Sequence, residues 1–223
     1  GPCGQEAPAA QEPDQPVAEA KDAATQSEEE VSAKPAATDA TEQAKSAADG
    51  NAKVAASVGP YGAALADGSE YRGRYGVSNS KLREFHERRL EILISTEPDY
   101  LALETMPDMQ EVEVLLDLIS EFNANIPFWV SYSCNSNYKT NAGQEFSEAV
   151  ELVSSCKDAF AVGINCTAPN LINDLLKAGN SKLPYIVYPN DGREWDANRK
   201  EWSGPTSGSF SPDLIAEWID SGA

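Results

Sequence analysis

The sequence predicts an α/β fold: repeated strand–helix units that form a parallel sheet, preceded by a stretch with no core of its own. Three observations point there. Short apolar runs without strict alternation recur along residues 53–223, the pattern of strands buried on both faces. Segments with apolar residues at helical spacing separate those runs. Residues 1–52, by contrast, hold eleven Asp/Glu against three Lys, no aromatic residue, no Leu or Ile, and only Val17 and Val31 as large aliphatics.

Taken in order, residues 1–52 cannot bury enough apolar surface to offset their ordering entropy, and a disordered acidic segment is expected. The Ala-rich window from Pro35 to Ala48 has some capacity for transient helix but lacks an apolar face. Its role is either that of a solvated linker or of an acidic interaction tail. Residues 53–223 then form one domain, long enough at 171 residues for a single core. The expected strands are Val54 to Val58, Tyr100 to Glu104, Phe128 to Ser133, Phe160 to Asn165 and Tyr185 to Tyr188.

The helical patterns fall between those strands. Ser80 to Ile94 places Leu82, Phe85, Leu90 and Leu93 near one face, with Ser78 as its N-cap. Glu111 to Phe122 carries Val112, Leu115, Leu116 and Ile119, and Phe146 to Cys156 carries Phe146, Val150 and Val153. Leu171 to Ala178 and Pro212 to Asp220 complete the set. Such βα repeats leave two architectures, a TIM barrel and a doubly wound flavodoxin-like sheet. No GxGxxG or GxxxxGK follows the first strand, so nucleotide binding has no support.

The strand ends favour the barrel. Gly59-Pro60-Tyr61-Gly62, Glu104-Thr105, Ser131-Tyr132-Ser133-Cys134, Asn165-Cys166-Thr167 and Pro189-Asn190 all finish apolar runs in residues able to bind or react. A TIM barrel gathers such ends around one site. The Gly163-Ile164-Asn165-Cys166 stretch is the most telling, because a buried strand delivers a thiol at its C-terminal end. A thiol there is a metal ligand, a nucleophile or a small buried hydrophobe. His86, the only histidine, falls on a helix outside the barrel and reads as structural or as a surface group. Trp129 and Trp218 fit the core, and Trp195 and Trp202 flank a polar stretch suited to a hairpin.

Charge and cysteine usage narrow the classes further. The chain has 36 Asp/Glu against 17 Lys/Arg, a net charge of −19, which argues against a nucleic-acid surface because phosphates need a basic face. No apolar run approaches a membrane span. Cys3, Cys134, Cys156 and Cys166 show no CxxC pairing or disulfide-scaffold spacing, so a reducing, cytoplasmic setting is expected.

Several segments together resemble a known family. They are Ala56-Ser57-Val58-Gly59-Pro60-Tyr61-Gly62-Ala63, Asp67-Gly68-Ser69-Glu70-Tyr71-Arg72-Gly73, Phe85-His86, Glu104-Thr105, Val162-Gly163-Ile164-Asn165-Cys166-Thr167 and Val187-Tyr188-Pro189-Asn190. In this order they resemble the homocysteine S-methyltransferases of the S-methylmethionine-using type, over about residues 53–223. The resemblance implies a (β/α)8 barrel, of which the strands here correspond to the third through seventh. It implies a zinc ion held by three cysteine thiolates, with homocysteine's sulfur in the open position. That sulfur attacks the methyl group of a sulfonium donor, S-methylmethionine or S-adenosylmethionine, to give methionine.

Carried onto this chain, the resemblance makes Cys166 the first zinc ligand. Glu104 stands where the family uses a carboxylate for the substrate's ammonium group. Asn165 and Asn190 are polar groups near the substrate, or turn-formers. The Asp67 to Tyr75 loop covers the donor site or wraps the barrel mouth. The family's other two zinc cysteines sit in a Gly-Gly-Cys-Cys, and no Cys-Cys pair occurs here. A complete barrel takes about 250 residues. The expectation is therefore an incomplete stretch of a longer methyltransferase, inactive by itself, with the acidic residues as an insertion between its second and third βα units. The alternative is a degenerate barrel serving as a non-catalytic interaction module.

Overall fold

The computed structural model describes residues 38–190, 193–196, 199, 201–204 and 211–223. Its centre is a five-stranded parallel sheet whose spatial order equals its chain order: β1 (Ala55–Val58), β2 (Tyr100–Met106), β3 (Phe128–Tyr132), β4 (Ala159–Asn165) and β5 (Tyr185–Tyr188). Each strand pairs with the next in parallel. A doubly wound sheet reverses direction partway through its strand order. This one runs in sequence throughout, which removes the flavodoxin-like alternative and is the order of a barrel wall. All five expected strands are present to within two residues of their expected ends.

Helices connect successive strands: α2 (Tyr61–Leu65) and α3 (Asn79–Ser95) before β2, α4 (Met109–Phe122), α5 (Phe146–Ser154), α6 (Ile172–Gly179) and, after β5, α7 (Pro212–Asp220). Ser78 caps α3 by accepting from the Lys81 N–H, as expected of a serine at that position. Asp108 caps α4 and Ser211 caps α7 in the same way. Between β5 and α7 the chain makes a small antiparallel hairpin, β6 (Glu194–Asp196) with β7 (Glu201–Ser203), in which Trp195 and Trp202 are register partners.

One face of the sheet is sealed by the helices. Val58, Leu101, Leu103, Phe128, Val130, Tyr132, Val162 and Ile164 pack with Leu82, Leu90, Val112, Leu115, Phe146, Val150, Ile172, Leu175 and Trp218 into one core. The other face is more open. It carries Ser57, Tyr100, Glu104, Trp129, Phe160 and Tyr188, of which Phe160 is 39% exposed. Trp129 thus differs from its expected core role. It lies half-buried on the open face against Tyr100 and Phe160, since alternate residues of a strand point to opposite sides.

The acidic segment also differs at its end. Residues 38–48 form a helix, α1, although its sequence lacks an apolar stripe. Thr41 is buried, and the Lys45 ammonium donates to the carbonyl of Glu97 beyond α3, so tertiary contacts supply what amphipathicity does not. The remainder of that segment, 1–37, lies outside the described residues. None of the described helices is long and apolar enough to cross a membrane.

Candidate functional site

The C-terminal ends of β2, β3, β4 and β5 converge on a linked set of polar side chains. Glu104 is the centre of one half. Its Oε1 accepts from Ser57 Oγ at 2.5 Å and its Oε2 from Tyr188 OH at 2.9 Å. The Tyr188 hydroxyl also lies 2.6 Å from Ser131 Oγ and accepts from Trp129 Nε1 at 3.1 Å. Burial drives the Tyr188 phenol well above its ordinary range, so it stays protonated and donates to the carboxylate. Glu104 is thereby oriented by two neighbours while it keeps lone pairs for a third donor.

Cys166 is the centre of the other half. It follows β4 with a φ of 47°, and Thr105, which follows Glu104, has a φ of 62°. A β-branched residue in the left-handed region is uncommon and is kept there by its surroundings. Here Asn165 does the holding. Its Oδ1 accepts from the Thr105 N–H at 2.9 Å and its Nδ2 donates to Thr105 Oγ1 at 2.7 Å. The same amide lies 3.4 Å from Cys166 Sγ, and Thr105 Oγ1 lies 3.6 Å from it.

The thiol is half-buried. Burial pushes its pKa up and the Glu104 charge adds to this, while hydrogen bonds from Thr105 and Asn165 pull it back. Thr167 closes the arrangement from below: its hydroxyl accepts from the Cys134 N–H at 2.9 Å and donates to the Asn165 carbonyl at the same distance. Tyr71, on a single 3-10 turn between β1 and α3, has its pKa raised by burial and next by the charge of Cys166.

The residues expected from sequence divide accordingly. Glu104, Asn165 and Cys166 are brought together, and the charge of Glu104 acts on the Cys166 thiol. Asn165, expected to face substrate, is 2% exposed and spends its amide on Thr105 and Cys166. Asn190 follows β5, its backbone N–H donating to the Thr167 carbonyl at 3.0 Å. The sequence marks Thr105 and Ser131 only as polar strand ends, and Ser57 and Tyr188 only as part of the family-like segments; it assigns none of the four a place in the site. Their signal was position: each sits at or near the C-terminal end of a strand, on the open face or just past it.

The other two described cysteines stand apart. Cys134 is buried in the core, which drives its thiol far above the ordinary range. Cys156 lines a cavity with Leu116, Ile126 and Asp158 at the opposite ends of β3 and β4. Among the described residues, no three His, Cys, Asp or Glu side chains gather as a metal site. The described cysteines are all free thiols.

Comparison with known proteins accounts for this arrangement. The family model described as homocysteine S-methyltransferase matches residues 14–223. Homocysteine S-methyltransferase 1 of Arabidopsis thaliana is 41% identical over 180 residues, covering 77% of this chain and 55% of its own length. Homocysteine S-methyltransferase 2 of Zea mays is 40% identical over 177 residues, covering 76% and 52%. The chain thus spans about half the length of these curated relatives. Among solved structures, the metallated form of the homocysteine methyltransferase MmuM from Escherichia coli superposes with a TM-score of 0.74 at 32% identity, covering 87% of this chain and 65% of that one. The strand order, the Gly163-Ile164-Asn165-Cys166 strand end and the breadth of these matches agree: the chain belongs to the homocysteine S-methyltransferase family.

Proposed function

We propose that this chain is the substrate-binding wall of a homocysteine S-methyltransferase, which moves a methyl group from S-methylmethionine or S-adenosylmethionine to the sulfur of homocysteine and yields methionine. The observation that carries the reading is the pairing of Glu104 and Cys166. A half-buried carboxylate at the end of β2 and a half-buried thiol after β4 stand either side of β3, linked through Thr105, which follows Glu104 and whose hydroxyl lies 3.6 Å from Cys166 Sγ.

Homocysteine carries an ammonium group at one end and a thiol at the other. Glu104, held by Ser57 and Tyr188, offers its remaining lone pairs to the ammonium. Cys166 then lies on the thiol side. A sulfonium is already a good leaving group, so the protein's main work is to position the two sulfur atoms in line and to keep the acceptor deprotonated.

The metallated Escherichia coli relative makes a metal relevant, and we take it to be zinc. A thiol that accepts hydrogen bonds from Thr105 and Asn165 suits a thiolate ligand to zinc. It is one ligand of the three that a catalytic zinc takes, and the described residues do not supply the others. When bound, zinc holds a coordinated thiol as thiolate near neutral pH. Asn165 and Thr105 fix the Cys166 side chain, Asn190 borders the substrate, and the open sheet face leaves room for the donor. Such an enzyme works in the cytoplasm, with no nucleic acid or membrane as partner.

The test is methionine formation from homocysteine and S-methylmethionine by a protein of the relatives' full length that carries this segment. Cys166→Ser should abolish turnover while the circular dichroism spectrum is unchanged. Methionine formed at the parental rate by the Ser variant would remove Cys166 from the mechanism. Neither substrate being turned over by the parent would point instead to a non-catalytic barrel.

A further inference from the structure

A second polar centre lies behind the candidate site, sealed from water. Glu111, in the first turn of α4, and His86, on α3, are both 0% exposed. His86 Nε2 sits 2.7 Å from Glu111 Oε1, which fixes the tautomer with the proton on Nε2 if the carboxyl is ionised. The same oxygen accepts the backbone N–H of Tyr61, and Oε2 accepts from Tyr75 OH at 3.0 Å. Arg89 lies close enough to feel the Glu111 charge. It is half-buried, donates to the Gly59 carbonyl at 3.2 Å and places its guanidinium 4.8 Å from the Phe85 ring centre.

A carboxylate deprived of water is costly unless donors surround it. Here the donors come from separate elements: the exit of β1, the far end of the Asp67 to Tyr75 loop, and α3. None of them is a substrate-contacting group of the candidate site. What they share is the stretch of chain from Gly59 to Tyr75, gripped at both ends. The grip is tight in the middle as well. A Cβ on Gly62 would stand 2.5 Å from the Glu70 backbone nitrogen and 2.7 Å from the Tyr75 ring, so the loop packs directly on the start of α2. Arg74 N–H donates to Asp108 Oδ2 at 2.8 Å, at the N-cap of the same helix that carries Glu111. The N-cap Asp108 lies three residues after Thr105, so loop and strand end are referred to one fixed point.

We propose that Glu111, backed by His86, is a positioning residue for the candidate site: it fixes the loop between Gly59 and Tyr75 on the N-terminus of α4, and so steadies the strand end just before that helix, where the Thr105 hydroxyl lies 3.6 Å from Cys166 Sγ. The proposal rests on the reading of Cys166 as the site's thiol, but not on methyl transfer by this chain. Packing of the loop alone would tolerate an uncharged residue at 111. A carboxyl group bonded at once to the Tyr61 N–H, the Tyr75 hydroxyl and the His86 ring defines one position.

The experiment measures alkylation of each cysteine by iodoacetamide in a protein of the relatives' full length that carries this segment, followed peptide by peptide by mass spectrometry. Cys156, at the opposite end of the sheet, and the core thiol Cys134 serve as internal references. Glu111→Ala should raise the Cys166 rate roughly tenfold, the weight of a lost buried hydrogen bond to a charged group on a local opening equilibrium. Because that variant can unfold, Tyr75→Phe is the second. It removes one donor, keeps the ring against Tyr61 at 5.4 Å, and should raise the Cys166 rate about threefold with Cys134 and Cys156 unchanged. Two results overturn the proposal. One is a Cys166 rate in Tyr75→Phe equal to the parent's. The other is a parallel rise at Cys134, Cys156 and Cys166 alike, which would make Glu111 a general stabiliser. Failure of the methyl-transfer assay moves neither measurement.

Discussion

At the scale of single residues, the candidate site rests on two unusual backbone positions and one amide. Thr105 and Cys166 both occupy the left-handed region, and Asn165 bridges them. A conformation that costs on the order of 1 kcal/mol or more persists only where neighbours over-determine it. Three hydrogen bonds from one 2%-exposed side chain do so here. Glu104 shows the complementary logic of a carboxylate oriented by neutral hydroxyls, which leaves its charge available to a ligand. Glu104→Gln keeps the shape and removes that charge. It should lower kcat/KM for homocysteine by about tenfold to a hundredfold, through KM more than kcat, the weight of one hydrogen bond to a charged group. Steady-state kinetics in a full-length protein carrying this segment would check it, and an unchanged KM would place the ammonium elsewhere.

At the scale of elements, the β4–β5 pairing is what delivers Cys166. The register sets Asn165 beside Tyr188 and Gly163 beside Ile186. Gly163 is needed there for space, since an added Cβ would lie 1.9 Å from the Ile186 carbonyl oxygen, a contact no real side chain makes. Gly163→Ala must therefore push the two strands apart. It should lower stability by about 3 kcal/mol or more, the upper range for overpacking against rigid backbone. Urea unfolding followed by circular dichroism measures this, and a midpoint within experimental error of the parent's would contradict the strand spacing. Ser78, by contrast, acts on α3 alone. Ser78→Ala should cost about 1 kcal/mol, as N-cap losses do, without altering the site. The same unfolding measurement would show it.

At the scale of the molecule, the sheet is open. Its edges are β1 and β5, and its inner face carries Tyr100, Trp129 and Phe160 in mutual contact without a covering layer among the described residues. The edge at β5 is partly occupied, since the Tyr185 N–H donates to the Gly222 carbonyl at 2.9 Å. The β1 edge has no such strand partner among the described residues. Unpaired edges and exposed apolar surface promote association. The isolated 223-residue chain should therefore self-associate or bind a hydrophobic dye, with a broad thermal transition. Sedimentation velocity and dye fluorescence report on this, and a monomer with one sharp transition would show the edges to be covered. The same chain should hold zinc weakly, because one thiolate cannot replace three ligands. Metal analysis after dialysis is the check, and tightly bound stoichiometric zinc would reveal ligands beyond Cys166.

The sequence by itself determined the elements and their direction. Apolar runs and helical spacing are local properties, and the five strands and most helix limits follow from them to within a residue or two. Strand-end polarity marked Glu104 and Cys166, because a residue that ends a buried strand has few reasons to be charged or nucleophilic. Only the tertiary structure decided the rest. Strand order depends on long-range pairing, so the flavodoxin-like alternative stood until β1 to β5 were seen in sequence. Partners from distant segments are invisible to periodicity. Asn165 bonds to Thr105 sixty residues away, and Glu111 gathers Tyr61, Tyr75 and His86 from 25 to 50 residues away. Trp129 reads as core because its type is apolar, yet alternation along β3 turns it to the open face, where its indole N–H meets Tyr188. Helix α1 reads as no more than transient because it has no apolar stripe of its own, and it is held instead by a carbonyl just beyond α3. In each case the deciding interaction joins residues that are remote in the chain, and composition or spacing near either one carries no trace of the other.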